Sequence, residues 1–176
     1  MEMGNRGRNF EELIAFTNSH YYKNRGVAII HKVPSEWLPI REKGNAKNKI
    51  VSAKIDENKR AAVDFLGTTC DTSIAFDAKS TINEKRWAFN EIKPDQWQFM
   101  KDFRRVNPKS YQFVLLGLYA FNRCFVLPFD FLEPLIEDWH RGGRASLPLE
   151  VLINSLPSIK LEYPLDYLSL LPRVKP

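Results

Sequence analysis

The chain has 176 residues, 44% of them hydrophobic, which is enough for one buried core and sets a single domain over residues 1–176 as the expectation. Its 26 Lys and Arg against 21 Asp and Glu leave a net charge of +5, which leans toward an anionic partner but is compatible with an ordinary soluble protein. Cys70 and Cys124 stand far apart and His20, His31 and His140 are scattered, which argues against a disulfide framework and a structural zinc site. With no apolar leader, and with its longest apolar stretch (113–121) far short of the roughly 20 residues a span needs, the chain is expected to be cytoplasmic with no membrane segment.

From Asn9, a helical stripe of Phe10, Leu13, Ile14, Phe16, Thr17 and Tyr21 predicts a helix, with Asn9 as N-cap, Glu11 and Glu12 in the first turn, and Gly26 as its end. Val27 to Lys32 reads as a β-branched strand stopped by Pro34. The polar stretch 34–60 carries Arg41, Lys43, Lys47, Lys49, Lys54, Lys59 and Arg60, and is either a long basic hairpin or a disordered loop. Two apolar segments, 61–66 and 73–79, predict an antiparallel hairpin with one carboxylate on each strand. A helix follows over 94–105, opened by Pro94, then strands over 110–118 and 123–127 and a helix over 131–139 that stops at Gly142-Gly143. Mixed α/β with a central sheet results, and the proline-rich segment after Leu147 is expected to be an irregular tail.

Phosphodiester hydrolysis calls for carboxylates that hold a divalent cation and a lysine near the attacking water, a pattern of Asp, a gap, then an acid-x-Lys triplet. In a strand the acid and Lys of such a triplet project from one face, and a turn brings the first Asp alongside. Asp64 with Asp77-Ala78-Lys79 fits. Glu57-Asn58-Lys59 and Glu91-Ile92-Lys93 match the triplet as well, so only the apolar hairpin setting separates the Asp77 copy from a solvated edge-strand pair.

Taken together, Asn5-Arg6-Gly7 leading into Phe10-Glu11, the strand ending in His31-Lys32, the basic arm, and VDF and DAK thirteen residues apart resemble the RecU family of Holliday junction resolvases over roughly residues 5–139. That resemblance implies a restriction-endonuclease-like fold, a mixed central sheet flanked by helices with a projecting basic stalk. It also implies a homodimer that uses Mg²⁺ or Mn²⁺ to nick four-way junction DNA in recombination and repair, in the company of other recombination proteins. Residue by residue, Asp64 and Asp77 resemble the family's metal-binding acids, Lys79 its catalytic lysine, Glu11 a further acid of the metal site, and Gln96 a supporting glutamine. Lys32 and the stalk cations, with Arg6 and Arg8, resemble its DNA-contacting groups. The chain departs from the family in having Asp77 where Glu is usual and Val63 where Thr is usual.

Three readings of function follow: a metal-dependent junction resolvase, a non-catalytic junction-binding recombination factor of the same fold, and a nuclease of that fold acting on simple duplexes. Two further features are left open. Lys101, Arg104, Arg105 and Lys109 either meet DNA or merely complement a helix C-terminus. Trp37, within the arm, is a candidate for stacking on an exposed base, whereas Trp97 and Trp139 are expected in the core.

Overall fold

A computed structural model describes residues 3–34, 37–41, 50–55 and 62–171. Six strands form the central sheet: β1 (Ala28–Lys32), β4 (Phe65–Thr69), β5 (Ser73–Thr81), β7 (Tyr111–Leu118), β8 (Arg123–Pro128) and β10 (Ser158–Lys160), in that spatial order. Only β5 and β7 run parallel, joined by α2 (Pro94–Val106); the other neighbours are antiparallel, so the sheet is mixed as expected.

Alternation along β5 and β7 divides the core into two layers. Ala75, Val114, Leu116 and Leu118 face the layer of α2, α3 (Phe129–His140) and α4 (Leu149–Ser155), where Trp97, Met100, Phe129, Leu132 and Leu152 are buried. Ile74, Phe76, Ala78, Phe113 and Leu115 face the other, with Phe10 and Ile14 of α1 (Met3–Thr17) and the C-terminal Leu165, Tyr167 and Leu168. Trp97 is indeed buried, stacked on Phe129 at 4.5 Å between ring centroids.

Between β1 and β4 the chain leaves the sheet and returns through β2 (Trp37–Arg41) and β3 (Ile50–Ile55), which pair with each other in antiparallel register from Trp37↔Ile55 to Arg41↔Ile50. Over these residues the basic arm is therefore a hairpin and not a disordered loop. Arg41 and Lys54 fall on its strands and Arg6 and Arg8 on α1; their side chains, and that of Trp37, lie outside what is described. Lys43, Lys47, Lys49, Lys59 and Arg60 lie outside the described residues altogether.

Three expectations are corrected. The first helix begins at Met3, six residues before Asn9, so Asn9 is not its N-cap and Glu11 and Glu12 sit mid-helix. Residues 3–9 hold no proline, and although Gly4 and Gly7 each weaken a helix by about 1 kcal/mol, neither removes a backbone donor from it. Its exit is a π-turn, Asn18–Tyr22, and the chain turns away at Gly26 with φ +68. Asp64 stands one residue before β4 and not within a strand, although the ladder continues through it, because Val33 N–H donates to its carbonyl at 2.8 Å.

The segment after Leu147 is no irregular tail. β9 (Ser146–Pro148) pairs with β6 (Arg86–Ala88), α4 covers the sheet, and β10 adds its last strand. A turn at Tyr167–Leu170 is then fastened to α1 by a buried polar knot. Leu165 N–H donates to Thr17 Oγ1 at 3.1 Å, Leu168 N–H to Tyr22 Oη at 3.0 Å, and Tyr167 Oη to Asn18 Oδ1 at 2.6 Å. Burial drives this: Leu165 and Tyr167 are fully covered, and their apolar surface outweighs what a proline-rich composition suggests.

Candidate active site

The sheet opens where the site lies. β4 pairs with β5 only from Phe65↔Phe76 to Thr68↔Ser73, while β5 continues against β7 as far as Thr81↔Leu118. Among the described residues no strand follows β4 along this side of β5 beyond Phe76, and Asp64 reaches across: its Oδ2 accepts the backbone N–H of Ala78 at 2.8 Å. A carboxylate thus takes over a ladder hydrogen bond that a strand would otherwise make, leaving the other Asp64 oxygen uncommitted to that bond.

Asp77 and Lys79 share the face of Ala75, toward α2. Asp77 is fully buried. Its Oδ1 accepts from Gln96 Nε2 at 2.6 Å, and its Oδ2 faces the Lys79 ammonium at 2.5 Å. That second contact is an ion pair, with no donor aligned on Oδ2 well enough to make a hydrogen bond.

Gln96 is held by α2 itself. Pro94 opens the helix at its first position, and two residues on the Gln96 side chain folds back so that Oε1 accepts the Lys93 N–H at 3.0 Å. The same oxygen accepts from Lys79 Nζ at 3.3 Å. Two donors on one side of the amide and a carboxylate on the other leave one orientation that satisfies all three bonds. The start of α2 is in this way locked to the acid and the lysine together.

Burial, and then the Asp64 carboxylate, push the Asp77 carboxyl up to about 8, against the pull of Lys79. Two carboxylates crowded at the mouth of a buried site, one with an oxygen lacking a well-placed donor, are the donor set that a hard divalent cation relieves. The residues present therefore fit such an ion, with Asp64 and Asp77 as the side chains that would hold it.

Glu11 is not brought into this group. It forms an ion pair with Lys32 at 2.6 Å, from α1 on the opposite layer, and among the described residues no three Asp, Glu, His or Cys side chains gather as a metal site. Lys32 follows Ala28 and Ile30 on the α1 face of β1, which is why it meets Glu11 rather than Asp77. The pair still lies at the same end of the sheet, since Val33 bonds the main chain of Asp64. Sequence reasoning misses that Lys32 competes for Glu11 and that the Ala78 N–H holds Asp64. The first needs the strand and helix faces in register, and the second is a backbone group with no side-chain signature.

A buried acid beside a partly exposed one, with a lysine and an amide clamp at the open end of a mixed sheet, is an arrangement suited to hydrolysis of an anionic ester. The family model described as Recombination protein U matches residues 5–173, and the chain belongs to that family. Holliday junction resolvase RecU of Pediococcus pentosaceus is 31% identical over 93% of this chain and 79% of its own length. The protein of that name from a Geobacillus species is 28% identical over 97% and 85%. Among solved structures, Hjc of Archaeoglobus fulgidus, a Holliday junction resolvase, shares 13% identity over 71% of this chain and 74% of its own with a TM-score of 0.41, a likeness too loose to carry weight. Among the described residues no helix is long and apolar enough to cross a membrane.

Proposed function

We propose that the chain is a structure-selective endonuclease that resolves four-way (Holliday) junctions by metal-dependent hydrolysis of phosphodiester bonds, acting in the cytoplasm as a homodimer alongside other recombination proteins. The observation that carries this reading is the buried Asp77, clamped by Gln96 and Lys79 beside Asp64, in a chain of the Recombination protein U family. Asp64 and Asp77 would hold Mg²⁺ or Mn²⁺. That ion supplies neutralisation of the phosphate charge and activation of water.

The protein's own groups do the rest. Gln96 fixes Asp77 and Lys79 in one orientation before substrate arrives, so no reorganisation is needed at the moment of reaction. Lys79, whose side chain is 17% exposed, is the group in reach of solvent that carries a proton next to the acid pair. Glu11 joins as a third acid on the family resemblance, which requires it to leave Lys32. Arg6, Arg8, Lys32 and the arm cations Arg41, Lys43, Lys47, Lys49, Lys54, Lys59 and Arg60 supply contacts to converging phosphates. A two-fold dimer would set two such sites against two strands, giving paired nicks.

A non-catalytic junction-binding factor is the second reading. It rests on Asp77 itself, whose shorter side chain replaces the usual Glu and whose carboxyl is pushed up to about 8 by burial and by Asp64. Incubating four-way, forked and linear DNA with the protein, in Mg²⁺ and in chelator, separates these. Mg²⁺-dependent paired nicks confined to the four-way substrate are expected. Junction binding with no nicking would support the second reading, and equal cutting of linear duplex would overturn junction selectivity.

A further inference from the structure

Helix α2 has a second end. Its first turn holds the catalytic clamp, and its last turns carry Lys101, Arg104 and Arg105 at positions i, i+3 and i+4, followed by Lys109 in the turn to β7. Such spacing puts the three helical cations on one stripe. The stripe faces α3 across a shallow groove of about 380 Å³ bordered by Lys101, Arg104, Arg105, Pro108 and Phe129 and by one acid, Glu133, so three cations face a single carboxylate. An adjoining cavity of about 290 Å³ brings Lys109, Ser110 and Gln112 to the other side of the same arginine. Cations from the helix and from the turn thus converge on one channel.

Arg104 is held at its centre. Its guanidinium lies over the Phe129 ring, 5.4 Å from the centroid, and is ion-paired with Asp130 at the start of α3, while its side chain keeps 40% of its exposure. A planar donor fixed by stacking and one carboxylate still presents N–H groups to the channel. Arg105 pairs with Asp102 at 3.0 Å, both well exposed, an interaction too weak to withhold it from a stronger anion. Among the described residues Lys101 and Lys109 form no ion pair; Lys101 rests over Trp97 at 5.9 Å.

If this served only to complement the C-terminus of α2, the stripe would not need a channel, nor a partner lysine beyond the helix. We propose that this channel is a binding track for the sugar-phosphate backbone of a duplex arm, separate from the arm hairpin and from the catalytic cleft. The inference rests on the reading of the protein as a junction endonuclease and deepens it. Gln96 and Arg104 are eight residues apart, about 12 Å along the helix at 1.5 Å per residue. At about 3.4 Å of rise per nucleotide, the track meets phosphates roughly three to four nucleotides from the scissile one. α2 is then a rigid ruler between the cut and the arm that leads to it.

The test is the salt dependence of four-way junction binding by the full chain, without metal, for wild type and for the exposed-lysine double variant Lys101→Ala/Lys109→Ala. The slope of log affinity against log salt is expected to become shallower by about 0.9 for each phosphate that the variant no longer neutralises, with the melting temperature unchanged. A second arm uses junctions in which the phosphates three and four nucleotides from the cut are replaced by neutral methylphosphonates. Wild type should lose more affinity on this replacement than the variant, which keeps only Arg104 and Arg105 in the track. An unchanged slope in the variant, or an equal response of both proteins to methylphosphonate, overturns the track. A wild type that neither binds nor nicks four-way DNA would instead overturn the junction reading itself, an outcome visible in the same titration.

Discussion

Asp77 and Glu11 are both acids that the family resemblance assigns to one metal site, and the fold treats them differently. Asp77 is fully buried, its oxygens taken by Gln96 and Lys79 and its charge pressed by Asp64. Glu11 keeps 26% of its side-chain exposure and answers to one half-exposed lysine, Lys32. Position in the chain does not make this difference; the sheet face does. A carboxylate between a strand and a helix N-terminus must be fully partnered to remain there, whereas one on an outer helix face can change partners at little cost.

The largest effect should come from the buried member. Asp77→Asn is expected to lower Mg²⁺-dependent junction nicking by at least about a thousandfold, with junction affinity in chelator within about twofold of wild type, since a metal ligand is removed while the basic arm is untouched. Nicking at normal rates in that variant would remove Asp77 from the site. Next is Gln96→Ala, which strands an acid, a lysine and the Lys93 N–H. We expect a loss of about 1–3 kcal/mol in denaturant unfolding and about 10- to 100-fold in nicking.

Linkage gives a third effect. The Asp77 carboxyl is raised in the folded protein to about 8, from a value near 3.8 when unfolded. The folded state therefore holds a proton that the unfolded state has released between those values, so this group's contribution is full below about pH 4 and is lost as pH rises through about 8. Metal-free protein should lose stability over that window, and Asp77→Asn should flatten the profile. The smallest effect belongs to the exposed pair: Lys32→Ala should cost less than about 1 kcal/mol of stability. If Glu11 enters the site during cleavage, the same change frees it, so nicking of saturated complex should hold or rise even though the lost phosphate contact weakens junction binding, while Glu11→Gln should reduce nicking with no comparable loss of stability.

The hairpin that carries the proposed site is legible in the sequence because its signal is local. Asp64 and the Asp77-x-Lys79 triplet lie thirteen residues apart across a turn, and strand alternation alone puts the acid and the lysine on one face. Pro94 and Gln96 also speak locally, as a first-position proline and a side chain that returns to the helix start. The resemblance suggests Gln96, and that capping pattern is the physical signal that explains it. What cannot be read depends on partners remote in sequence. Lys32 takes Glu11 only after β1 and α1 are packed. The segment after Leu147 orders because β6, β8 and α1 wait for it, at separations that no window of local periodicity spans. The start of α1 escapes for the opposite reason: Asn9 is a plausible cap by type, yet the residues before it are just as free to be helical.

The knot between α1 and the turn at Tyr167 also sets an order of events in synthesis. Tyr22 and Leu168, joined by a hydrogen bond, are made 146 residues apart. A ribosome adding about 5–20 residues per second leaves α1 without these partners for many seconds after it has emerged. For the later part of that interval the hairpin bearing Asp64 and Asp77 has been made, while the layer that backs it is unfinished. Completion of the layer behind that hairpin is thus deferred until the segment around Leu165 to Leu168 has been made.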